Sequence, residues 1–96
     1  MLYAAKCYWP GVTANELEAV GTAARREARR ARSGGSAIAY LGSIMFPADE
    51  LVLCLFDAPS QAAVKHTSEQ AGIPCERVMP TRWLAPPETP TAFGPT

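Results

Sequence analysis

Six consecutive apolar residues, Leu51 to Phe56 in "ELVLCLFDAPS", constrain this chain more than any other stretch. A strand with one buried face alternates apolar and polar residues, because successive side chains point to opposite sides. This run does not alternate, so both of its faces need cover. In a chain of 96 residues cover is scarce, since a domain of that size buries only roughly two thirds of its unfolded surface.

The surrounding pattern says which elements are at hand. "LYAAKCYW" reads as a first strand, stopped by Pro10-Gly11. Thr13 and Glu16 then form an S/T-x-x-E capping box, with Val12 and Leu17 at hydrophobic-staple positions. Leu17, Val20, Ala24, Ala28 and Ala31 mark the buried stripe of the helix that follows, and "SGGS" at 33 to 36 ends it. "AIAYLGSIMF" is a second strand, turned by Pro47 to Glu50 into the apolar third strand. Strict alternation puts Ile38, Tyr40, Ile44 and Phe46 on one side of the second strand and Leu41 and Met45 on the other.

Ser60 is the expected N-cap of a second helix, with Ala63, Val64, Thr67 and Ala71 inward. Gly72-Ile73-Pro74 supplies a left-handed stop, an apolar contact and a proline. A fourth strand is predicted over about residues 77–84, at a sheet edge because Pro80 has no N–H for a ladder. The order β-α-β-β-α-β is the split, ferredoxin-like arrangement of an α+β fold. Right-handed crossovers centre strands one and three in an antiparallel sheet and put both helices on one face. The apolar third strand is then central with one face uncovered. A second copy packed sheet to sheet, giving a dimeric α+β barrel, is the expected cover. Residues 1–85 form this domain, and 86–96, with four prolines, a C-terminal tail with Phe93 as an anchor.

Composition excludes several function classes. Nine basic residues balance nine acidic ones, so no general attraction to nucleic acid or an anionic membrane is expected. No stretch reaches the roughly 20 apolar residues of a membrane span. Met1 leads into an apolar stretch without a basic region before it, so no secretory leader is expected. Cys7, Cys54 and Cys75 are odd in number and lack CxxC spacing, which reads as reduced thiols in the cytoplasm. "ARREARRAR" holds five of the nine basic residues; with the alanines inward, its arginines form a solvated face that complements the helix dipole, an anion-binding patch being the alternative.

"YWPGVTANELEAV", "YLGSIMFPADELVLCLFDAPS" and "AGIPCERV" resemble, in order and spacing, a small nickel-binding-protein-like family over about residues 2–84. The resemblance implies a ferredoxin-like fold that dimerises as an α+β barrel, with nickel or another transition metal as a ligand. The chain departs from the family's pattern where metal chemistry would sit. Lys6 and Cys7 stand where the family tends to carry an acidic and then a basic residue, and Gly42 and Ile44 replace two side chains suited to binding. By alternation, Lys6, Tyr8, Gly42 and Ile44 share the face turned to the partner copy.

Cys7, Cys54 and His66 are the candidate metal ligands, because borderline divalent ions take thiolate and imidazole. Cys7 and Cys54 fall on adjacent central strands, whereas His66 points outward from the second helix. Dimeric barrels of this kind enclose a cleft between sheet and helices or between subunits, and Lys6, Tyr8, Tyr40, Ser43 and Arg82 are the polar groups expected to line it. No carboxylate pair, nucleophile–histidine pair or phosphate loop is present in the sequence pattern. The reading is a small homodimeric binding protein with an altered metal site. The alternatives are a dimeric-barrel enzyme of cyclase, isomerase or cofactor-poor monooxygenase type, and a structural or regulatory dimer.

Overall fold

The structure, a computed structural model, describes residues 1–85; the proposed tail 86–96 lies outside them. Strand β1 (Leu2–Tyr8), helix α1 (Ala14–Ser33), strand β2 (Ala39–Phe46), strand β3 (Leu51–Asp57), helix α2 (Gln61–Ala71) and strand β4 (Arg77–Pro80) follow in that order. The sheet runs β2-β3-β1-β4 with every neighbouring pair antiparallel. This is the α+β, ferredoxin-like arrangement, with β1 and β3 central. No helix among the described residues is long and apolar enough to cross a membrane.

Local chemistry sets the element ends. The Thr13 side chain accepts from the Glu16 N–H while Glu16 reaches back to the Thr13 N–H, completing the capping box at the start of α1. Ser60 caps α2 through the Ala63 N–H, and Gly72 closes it at φ 77°, the left-handed region that favours glycine. Between β2 and β3 a single 3-10 turn, Pro47–Asp49, hands over to Glu50 at φ 51°. Two contacts hold that residue in place. Its carbonyl accepts from the Trp9 N–H at 2.8 Å and its carboxylate from the Gly11 N–H at 3.1 Å.

The two faces of the sheet differ in kind. Tyr3, Ala5 and Cys7 of β1 and Val52, Cys54 and Phe56 of β3 are buried against the helices. They meet Ala24 and Ala28 of α1, Val64 and Ala71 of α2, and Ile38 and Ile73 from the connections. Phe56 is among the largest fully buried side chains, and truncating such a residue to alanine costs about 3–5 kcal/mol. On the other face lie Leu51, Leu53 and Leu55, paired across to Tyr8, Lys6 and Ala4 of β1 and to Phe46, Ile44 and Gly42 of β2. No helix among the described residues covers that side.

Two expectations are corrected. The register slips between Tyr40 and Gly42, leaving Leu41 as an extra residue in a β-bulge. Strict alternation therefore fails along β2. Ile38 and Tyr40 face the helices as Ser43 and Met45 do, while Ile44 and Phe46 face away. Strand β4 is also shorter than predicted. Its ladder ends where β1 runs out, with the Thr81 N–H on the Leu2 carbonyl at 2.9 Å, and Trp83 and Leu84 beyond it are exposed.

Replacing Thr13 by alanine removes a cap acceptor and is expected to lower unfolding stability by about 1 kcal/mol, read from the urea midpoint, whereas Thr13→Ser leaves the midpoint nearly unchanged.

Candidate functional site

The side chains singled out in the sequence are divided by the sheet. Lys6 and Tyr8 project from β1 onto the helix-free face, beside a shallow hollow of about 660 Å³ that Asp49, Leu51 and Glu76 also line. Tyr40 and Ser43 lie on the opposite face, in the seam between α1 and β2. Arg82 follows β4 and is exposed. The five therefore belong to separate surroundings within one chain: the open face, the helix side, and the segment after the last strand.

The bulge is what brings Tyr40 and Ser43 together. With Leu41 set aside, both point inward although they are three apart in sequence, and their hydroxyls are hydrogen-bonded. Ser43 Oγ donates onward to Cys54 Sγ at 3.2 Å. The Tyr40 ring packs on Phe56 at 5.4 Å between centroids, and the Arg25 guanidinium stands over the ring, 5.3 Å from its centroid. Burial pushes the Tyr40 phenol above its usual range, with the Ser43 bond opposing.

Behind Ser43 are the two buried thiols. Cys7 pairs with Val52 and Cys54 with Ala5, which puts both cysteines on the helix side, offset by one diagonal step, and each is fully buried. Their hydrogen bond, and then burial, holds the Cys7 thiol well above the ordinary thiol range. The same hydrogen bond lowers Cys54, burial opposing it and Ser43 adding to it. Both thiols are kept out of solvent by their surroundings.

His66 is exposed on α2, in a groove with Glu27, Arg30 and Gln70 of the two helices. Among the described residues, no three of His, Cys, Asp and Glu gather closely enough to hold a metal ion. Cys7 and Cys54 bring two donors together, and a first-row ion wants a fuller set of thiolate, imidazole or carboxylate. The described residues of one chain therefore do not fit a nickel centre.

Two participants escaped the sequence pattern. Arg25 reads there as one more solvated arginine, yet it covers Tyr40. Gly21 interrupts the helix at a cost of about 1 kcal/mol relative to alanine, a signal that something packs close to it. That something is Tyr40, whose hydroxyl would be 3.3 Å from a Cβ at this position.

Residues 7–80 match the family described as nickel responsive protein SCO4226-like. Among solved structures, the crystal structure of SCO4226 from Streptomyces coelicolor A3(2) superposes with a TM-score of 0.71 at 20% identity, covering 88% of this chain and all of that one. At that identity the likeness is one of fold. No curated protein matches the chain.

The thiols give a direct check on this site. In native protein, 5,5′-dithiobis(2-nitrobenzoate) is expected to modify half-buried Cys75 alone, with Cys7 and Cys54 reacting only on unfolding. Burial also raises the Cys75 thiol, so its modification rate should still climb above pH 9.0, and Cys75→Ser should abolish the native-state reaction.

Proposed function

The chain belongs to the SCO4226-like family of nickel-responsive proteins, and from that premise we propose that it is a small homodimeric binding protein whose metal site is altered. The observation that carries this reading is the helix-free face of the sheet. Leu51, Leu53 and Leu55 run down central β3 on that face, with Ile44, Phe46 and Tyr8 around them, and the last three are all more than a third exposed. Soluble monomers seldom keep a contiguous apolar patch of that kind, and a second copy of the same face is its natural complement. Asp49 and Glu76 beside Lys6 supply countercharges at the rim.

The altered metal site is supported by the residues that occupy the family's positions. Lys6 stands on the open face where the resemblance expects an acid, and an ammonium neither ligates nor attracts a cation. Cys7 is turned inward and fully buried. The dimer therefore reads as a member of the family that has kept the fold and the apolar face while losing donors. Its three unpaired thiols suit a reducing compartment, and we place it in the cytoplasm.

Native mass spectrometry before and after adding nickel tests both halves of the proposal. The expected species has about twice the 10.3 kDa of one chain and takes up no nickel at a defined ratio. Leu53→Asp puts a charge at the centre of the apolar face and should weaken association by at least about 2 kcal/mol. A monomeric wild type would overturn the dimer, and stoichiometric nickel would overturn the altered site.

A further inference from the structure

We propose that the seam between α1 and β2 is a binding site for a small amphipathic organic acid, its carboxylate or phosphate held by Arg25, Arg29 and Arg32 and its apolar body laid along Tyr40, Leu17 and Met45. The site lies on the helix side of the sheet, away from the face proposed for the dimer, so it stands or falls independently of that reading.

The arginines of α1 are of two kinds. Glu27, largely buried where α1 meets α2, takes Arg26 at 3.8 Å and Arg30 at 3.5 Å, which partly neutralises those two arginines. Arg25, Arg29 and Arg32 follow one another at helical spacing and line a groove of about 300 Å³ with Ala39 and Tyr40, where among the described residues they have no carboxylate partner. Two of them are already oriented. Arg32 Nη1 donates to the Ile38 carbonyl at 2.7 Å, and Arg25 is stacked over the Tyr40 ring, which leaves the edges of both guanidiniums for an anion. Orientation in advance lowers the entropy lost when a ligand binds.

On the other side of the shared Arg25 and Tyr40 lies a wider part of the seam, of about 490 Å³, lined by Leu17, Gly21, Ser43 and Met45. The missing side chain at Gly21 leaves this part open down to the Tyr40 hydroxyl. Together the two parts fall within the size of ordinary small-molecule sites, with a lining divided about evenly between polar and apolar groups, as an amphipathic ligand requires. Glu18 stands in the wider part, so its charge directs an acid group to the arginine end. Because β2 is an edge strand, no further strand among the described residues closes the seam from the side. A nucleic acid would find little further charge here, since Arg26 and Arg30 share Glu27 and the chain's balanced charge gives no broad attraction.

Amide NMR on the 15N-labelled full chain tests the site, with octanoate, octyl phosphate, inorganic phosphate and a 12-nucleotide single-stranded RNA as probes. The expected result is saturable shifts at Gly21, Arg25, Tyr40 and Ser43 with octanoate or octyl phosphate. The tighter of the two identifies the acid group, and inorganic phosphate should bind at least about tenfold more weakly than octyl phosphate. The exposed double replacement Arg25→Gln with Arg29→Gln should weaken the octyl probe by at least about tenfold, and Arg26→Gln with Arg30→Gln should leave it unchanged. Shifts confined to Tyr8, Ile44 and Leu53, equal binding of inorganic phosphate, binding of RNA alone, or no saturable shift with any probe would each overturn the proposal.

Discussion

Both faces of β3 are apolar, Val52, Cys54 and Phe56 toward the helices and Leu51, Leu53 and Leu55 away from them, and the described chain has helices for one face only. Most of the architecture answers to that constraint. The long connections carry α1 and α2 across the same side of the sheet, because a right-handed crossover from either half returns to that side. The small residues Gly21, Ala24 and Ala28 let α1 sit close over it. Phe56, Val52 and the buried thiols fill the space between. What is left on the far side is a surface with the chemistry of an interior.

The bulge at Leu41 is the second organising feature, and it acts on β2 alone. An extra residue rotates the strand's second half, so Ser43 and Met45 join Tyr40 on the helix side while Ile44 and Phe46 join the leucines of β3. One irregularity thus serves both faces. It makes the open face more continuously apolar, and it assembles the hydroxyl relay from Tyr40 through Ser43 to Cys54 beside the arginines of α1. Gly42, at φ 132°, is the residue that lets the backbone take this path.

Family membership and the side chains pull in different directions. The match over residues 7–80 and the superposition on SCO4226 accord with the fold. The candidate ligands do not converge: the two thiols are sealed in the core and His66 is on the outside of α2. A fold can persist through such changes because its stability rests on apolar burial, which tolerates exchange of polar surface groups, whereas a metal site needs several donors within one coordination shell.

Local signals in the sequence determined the elements themselves. Thr13 with Glu16 marked the start of α1, Ser60 and Gly72 the ends of α2, Pro80 the edge strand, and the unbroken run at 51 to 56 a central strand with two apolar faces. These features are legible because capping, proline geometry and side-chain alternation act over a few residues. Only the tertiary structure decided the register. The slip at Leu41 depends on how β2 pairs with β3, a non-local matter, and it alone determines that Tyr40 meets Ser43 and Cys54 rather than Ile44. The end of β4 at Pro80, where β1 runs out, the company Arg25 keeps with Tyr40, and the separation of Lys6 from Ser43 by the thickness of the sheet are likewise non-local. A strand's side chains have two sides to choose from, and hydrogen bonding to a neighbouring strand is what makes the choice.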